Sequence, residues 1–162
     1  MIEREMIRLL LVDDHPIMRQ GLHQALAKEP DIEIMGEAGD GAEAIRLASI
    51  LLPTVIVMDI AMPGIGGIEA TRLIVAEHPR MRVLAYSMNH DSRSVARMLA
   101  AGASGYVTKW SEYDELLQGI RSIATGEPFL CREVSGALSP MGYIHAAALK
   151  AARSRFQQTL ST

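Results

Sequence analysis

Short apolar runs recur along this chain, and each stops on a polar residue. Leu9–Val12 ends on Asp13-Asp14, Val55–Met58 on Asp59, Val83–Tyr86 on Ser87, and Tyr106-Val107 on Thr108-Lys109. Brief, uniformly apolar runs predict strands buried on both faces of a parallel sheet. One more strand is predicted where Ile32, Ile34, Gly36 and Ala38 alternate along the chain. Between these runs the spacing turns helical. Met18, Leu22, Ala25 and Leu26 share a face behind Pro16, a first-turn proline. Ala44, Ile45, Ala48 and Leu52 form a second stripe closed by Pro53, and Ala70, Leu73 and Ile74 a third after Gly66-Gly67. A fourth helix is expected from about Asp91 to Ala101, opened by an Asp or Ser cap. Leu116, Leu117, Ile120, Ile123 and Ala124 carry the fifth. The order is (βα)5, and right-handed crossovers put helices on both faces of one doubly wound α/β sheet.

In such a sheet the carboxyl ends of the strands form one edge, and ligands bind in the crevice there. Asp13, Asp14, Asp59, Ser87 and Lys109 therefore belong to one rim. Three carboxylates a few ångströms apart raise one another's pKa, and a hard dication such as Mg²⁺ relieves the repulsion. Beside it the Lys109 ammonium and the Ser87 hydroxyl suit the oxygens of a phosphoryl group, whose transfer needs mainly positioning and neutralisation. Asp59, alone at the end of the expected central strand, is the candidate nucleophile. Singly, each residue has an ordinary reading: a loop or capping Asp, a helix-start pair before Pro16, a solvated Lys. Jointly, each ends a different strand, and that pattern points to a site.

Composition narrows the setting. Of 162 residues, 49% are hydrophobic and 22% charged, which suits one folded domain with a short appendage. No apolar run approaches the ~18 residues of a membrane span, and the start has no secretory pattern. Cys131 is the single cysteine, and no Cys/His spacing suggests zinc. The expectation is a cytoplasmic protein with no membrane partner. Net charge is −3, which does not favour nucleic acid as a partner of the whole surface. Composition shifts at Gly126-Glu127-Pro128, so the expected organisation is a domain over 1–126 followed by a linker and short helical tail over 127–162. In the tail Ile144, Ala148, Ala152, Phe156 and Leu160 recur every fourth residue beside Lys150, Arg153 and Arg155.

Over residues 7–130 the chain resembles the receiver domain of two-component response regulators. The matching stretches are Leu11-Val12-Asp13-Asp14-His15-Pro16, Met58-Asp59-Ile60-Ala61-Met62-Pro63-Gly64, Ala85-Tyr86-Ser87 and Gly102-Ala103-Ser104-Gly105-Tyr106-Val107-Thr108-Lys109. The Asp-Asp-His-Pro start, residues 67–72 and Gly126-Glu127-Pro128 are similar to the NarL/FixJ (LuxR-type) subgroup. The resemblance implies a flavodoxin-like sheet of order 2-1-3-4-5 and phosphorylation of Asp59 by a sensor histidine kinase. It further implies Mg²⁺ held by Asp14, by Asp13 mostly through water, by Asp59 and by the Ala61 backbone carbonyl. Ser87 and Lys109 would grip the phosphoryl oxygens, and Tyr106 would be an aromatic switch that follows Ser87.

Three features depart from the subgroup. Met88 stands where a small residue is usual and is expected to crowd the pocket mouth. Trp110 follows Lys109 and is expected to pack as a cap on the fifth helix. The 36 residues after Gly126 are too few for the subgroup's helix-turn-helix output domain, although Leu138-Ser139-Pro140 resembles its opening. DNA reading by this chain alone is therefore not expected, and the tail stripe suits packing on the receiver or on a second copy in a homodimer. The expected function is phosphorylation-switched signalling rather than enzymatic turnover. The alternative, a metal-dependent phosphohydrolase with an aspartyl-phosphate nucleophile, lacks a second acid in Asp59-Ile60-Ala61 and a cap insertion. No Gly-x-Gly-x-x-Gly follows the first strand to support a dinucleotide site.

Overall fold

The computed structural model describes residues 5–137. Six strands, β1 (Ile7–Val12), β2 (Ile32–Ala38), β3 (Val55–Met58), β4 (Arg82–Ser87), β5 (Gly105–Thr108) and β6 (Phe129–Leu130), form one sheet of order β2-β1-β3-β4-β5-β6. Every pairing is parallel. The helices are α1 (Pro16–Leu26), α2 (Gly41–Leu51), α3 (Gly67–Glu77), α4 (Ser92–Ala101), α5 (Tyr113–Ala124) and α6 (Arg132–Ala137). This is the flavodoxin-like architecture expected from the sequence, with the 2-1-3-4-5 order intact and one strand added.

The sheet interior holds the apolar runs. All four residues of β3 are buried, as are Leu9, Leu10, Leu11 and Val12 of β1 and Val83, Leu84 and Ala85 of β4. Strands covered on both faces have no polar side to show, which is why these runs do not alternate. Each helix contributes one stripe: Leu22 and Leu26 from α1, Ala44 and Ala48 from α2, Ile74 from α3, Val95 and Met98 from α4, Leu116, Ile120 and Ile123 from α5.

Local chemistry sets the helix ends. The Asp40 carboxylate accepts from the Glu43 N–H and the Asp91 carboxylate from the Ser94 N–H, so both residues are N-caps. Leu52 differs from its expected place on the apolar stripe of α2. It is exposed and adopts φ 51°, a left-handed helix end, because Pro53 disfavours a helical residue before it. Arg8 secures this end by donating to the carbonyls of Leu51 and Leu52.

The sheet does not stop at Gly126. Gly126 turns the chain with φ 90°, and β6 pairs Phe129 with Gly105 and Leu130 with Tyr106. Cys131 and Val134 then bury completely, and Glu133 of α6 accepts a hydrogen bond from Thr108 at 2.8 Å. Residues 129–135 thus pack as a continuation of the sheet edge. The tail stripe from Ile144 to Leu160 lies outside the described residues.

Candidate functional site

The three aspartates converge as the strand ends require. Asp13 and Asp14 follow β1, and Asp59 follows β3, whose last residue Met58 is paired with Val12. Ligand atoms of Asp13, Asp14, Asp59 and His15 all lie within 4.8 Å of one another. Gly67, the first residue of α3, makes this close packing feasible: a Cβ there would sit 1.9 Å from the Asp59 carbonyl oxygen. No side chain fits at that position.

Lys109, one residue past β5, reaches across the strand ends. Its Nζ donates to Asp13 Oδ2 at 2.8 Å and lies 3.3 Å from Asp59 Oδ2, with all three side chains almost fully buried. The ammonium is fixed from below as well, since it stands 5.9 Å from the centre of the Tyr86 ring. The Lys109 N–H donates to the Ser87 carbonyl at 2.8 Å, which ties the ends of β4 and β5 together. Ser87 is buried, and its hydroxyl accepts from the Asn89 N–H at 3.1 Å. Tyr106 is wholly inside, and its hydroxyl donates to the Asn89 carbonyl. Burial pushes the Tyr106 phenol up to about 12, so it stays a donor.

The electrostatics of the two buried acids diverge. Burial raises the Asp13 carboxyl, but hydrogen bonds from Lys109 and from the His15 N–H outweigh it and hold it below the ordinary value. Asp59 goes the other way. Burial, reinforced by the charges of Asp13 and Asp14, lifts it to about 6 against the pull of Lys109. Lys109 itself is raised: burial works against its charge, and its hydrogen bond to Asp13 with the nearby charges of Asp59 and Asp13 more than compensates.

Two acceptor atoms in this cluster are buried without a hydrogen bond, Asp14 Oδ1 and Asp59 Oδ2; the first lies 3.1 Å from His15 Nδ1 and the second 3.3 Å from Lys109 Nζ. Unsatisfied carboxylate oxygens pointing into a shared space are what a hard cation takes up, so the residues fit Mg²⁺. Ala61 lies two residues beyond Asp59 in the exposed start of the β3–α3 loop. His15 was not legible as part of this cluster. Its Nδ1 lies 3.1 Å from both Asp13 Oδ1 and Asp14 Oδ1, while in sequence it reads as no more than a residue before a helix-starting proline. Trp110 does not pack on α5 as expected: it is 66% exposed, held out on the β5–α5 loop beside the site. Met88 is also exposed, just past Ser87.

The response regulator receiver domain family matches residues 9–121. The chain belongs to the response regulator receiver family. The receiver is 44% identical over 131 residues to the transcriptional regulatory protein LiaR of Bacillus subtilis, covering 81% of this chain and 62% of LiaR. It is 34% identical over 161 residues to the nitrate/nitrite response regulator NarL of Escherichia coli K12, covering 99% of this chain and 71% of NarL. A LuxR-family response regulator from Aurantimonas sp. SI85-9A1 superposes with a TM-score of 0.80 at 39% identity, over 83% of this chain and 96% of that one. The relatives are NarL/LuxR-type response regulators, signalling proteins of two-component systems. The chain spans about three fifths of the length of curated relatives such as LiaR.

Proposed function

We propose that this receiver accepts a phosphoryl group on Asp59 from the phosphohistidine of a partner sensor kinase. The observation that carries this is the ammonium of Lys109 held 3.3 Å from Asp59 Oδ2, beside a carboxylate pair able to hold a dication. An Asp59 oxygen forms the new O–P bond as the donor's P–N bond breaks, and the donor imidazole keeps the bonding pair. Asp14, Asp13, Asp59 and the Ala61 carbonyl would hold Mg²⁺, which supplies neutralisation of charge on the transferring oxygens. Lys109 is the second counter-charge, already desolvated and directed, so it costs no reorganisation during transfer. Ser87 turns its hydroxyl from the Asn89 N–H toward the phosphoryl oxygen. Because Asn89 also accepts from Tyr106, this movement frees the loop that Tyr106 pins. That is the proposed switch.

The phosphohydrolase reading has no support in the site. Ala61 occupies the place of the second acid, and its methyl side chain has no proton to give a leaving group. A slow loss of the adduct to water is the only turnover expected. The protein is expected to work in the cytoplasm, with a sensor kinase as donor and a second copy as the partner for the tail.

Incubation with acetyl phosphate and Mg²⁺ tests the proposal by intact mass. The expected result is one base-labile phosphoryl group per chain, absent from Asp59→Asn and not replaced by multiple turnovers. Full labelling of Asp59→Asn, or rapid turnover of many equivalents by the wild type, would overturn it.

A further inference from the structure

Arg19 takes no part in the chemistry described above, yet it bonds directly to the chain that carries two of the three aspartates. From the second turn of α1, its Nη1 donates to the main-chain carbonyl of Asp13 at 2.5 Å, and its Nε donates to Glu37 Oε1 at 3.1 Å. Glu37 lies one residue from the end of β2, and its other oxygen is 3.0 Å from Nδ1 of His23, the next residue up on the same face of α1. On its opposite side the Asp13 N–H donates to the Ala38 carbonyl at 3.1 Å. The Asp13 backbone is thus held at both its N–H and its C=O by groups anchored on the end of β2. The side chains involved are only partly exposed, Arg19 at 22% and Glu37 at 32%.

We propose that Arg19 is a positioning residue for the divalent cation site, with Glu37 fixing the guanidinium. The inference rests on reading Asp13, Asp14 and Asp59 as the cation's ligands. The Asp13 carbonyl belongs to the planar peptide unit that joins Asp13 to Asp14. Fixing the direction of that carbonyl fixes the direction in which the Asp14 chain leaves, and with it the aim of Asp14 Oδ1, one of the unsatisfied oxygens. The guanidinium is a rigid fork whose donors point along set directions, so one group can grip Glu37 and the carbonyl together. Glu37 cancels most of its charge at close range. What Arg19 contributes is geometry, not a positive field. A lysine, with one compact ammonium on a flexible stem, does not reproduce it.

The test is Mg²⁺ titration of the full chain by calorimetry and by Trp110 fluorescence, on wild type, Asp14→Asn, Arg19→Gln, Arg19→Lys and Glu37→Gln. Arg19→Gln is expected to weaken Mg²⁺ about tenfold, the scale seen when a group that orients metal ligands is removed. Arg19→Lys is expected to fall close to Arg19→Gln, and Glu37→Gln to show a smaller loss in the same direction. In acetyl phosphate labelling, Arg19→Gln should be slow at low Mg²⁺ and regain the wild-type plateau rate at saturating Mg²⁺, because Asp59 and Lys109 are untouched. Thermal melts without Mg²⁺ show which variants are folded, and Arg19→Lys and Glu37→Gln carry the test where Arg19→Gln is not. A folded Arg19→Gln with wild-type Mg²⁺ affinity, a full rescue by Arg19→Lys, or a plateau that stays low at saturating Mg²⁺ would each overturn the proposal. Failure of the underlying reading looks different: wild type takes up no Mg²⁺, or Asp14→Asn binds it unchanged, and the proposal falls with it.

Discussion

Asp59 is kept almost dry between two other carboxylates, and its charge is the costly element of the metal-free protein. Its folded value of about 6 lies above the ordinary 3.8, so the native state holds this proton more tightly than the unfolded chain does. The stability this contributes is complete below the ordinary value and is lost as pH rises through the folded one. Asp13, held below its ordinary value, acts with the opposite sign and contributes only above that range. Asp59→Asn removes the penalty and leaves the Asp13–Lys109 bond. In EDTA at pH 7 it is expected to be more stable than wild type by roughly 1–3 kcal/mol, the scale of a buried polar group relieved of unmet partners. The gap should close toward pH 4, which thermal melts across pH will read; a gap independent of pH would contradict the assignment of the raised value to Asp59. Met88→Ala is expected to speed labelling by acetyl phosphate by opening the mouth beside Ser87. An unchanged rate in a time course would mean that Met88 points away from the entry. At this scale the acids and Lys109 were legible because each ends a run of strand residues. His15 and Arg19 were not. Their signals are a helix-start residue and a polar position on α1, and only the fold brings the imidazole over the carboxylates and the guanidinium onto the Asp13 carbonyl.

Among the elements, the five βα units were legible because apolar runs and helical stripes differ in period. β6 and α6 were not, since two residues cannot display a period and Phe129-Leu130 reads as part of a linker. They nevertheless bury Cys131 and Val134 completely and set Phe129 against Gly119 of α5, where a Cβ would lie 2.9 Å from the ring. A chain ended at Gly126 is therefore expected to be less stable than one ended at Ala137 by at least ~2 kcal/mol, the worth of one buried aliphatic side chain. Urea unfolding of the two chains measures this, and equal midpoints would support a domain that ends at 126. At the other edge, Asp40→Ala removes the N-cap of α2 and is expected to cost about 1 kcal/mol in the same assay, with the Mg²⁺ affinity unchanged. Leu52 shows the limit of stripe reading, because the proline after it, rather than its own apolarity, decides its conformation.

For the whole molecule, the strand order followed from the resemblance of four motifs in sequence, while nothing in the periodicities alone distinguishes 2-1-3-4-5 from another parallel order. In the sequence of residues 138–162, Ile144, Ala148, Ala152, Phe156 and Leu160 recur every fourth residue, and self-association through that apolar set is the expected role. Sedimentation of the full chain against one ended at Ala137 is the check: the expected result is a lower mass after removal, and equal masses would dispose of the idea. A mobility-shift assay on residues 1–162 is expected to give salt-sensitive, sequence-independent retardation at most, since Lys150, Arg153 and Arg155 offer phosphate contacts.

The bond from Lys109 to Asp13 joins residues 96 positions apart, the first strand to the fifth. Contacts this distant in the chain are the slow ones in folding, because the loop between them must be closed before they stabilise anything. A chain emerging from the ribosome presents Asp13, Asp14 and Asp59 long before the ammonium that pairs with Asp13 and Asp59. Until β5 slots beside β4, those acids repel one another without the Lys109 ammonium to offset them. Under the proposed function, competence of Asp59 to accept a phosphoryl group would therefore wait on completion of the sheet.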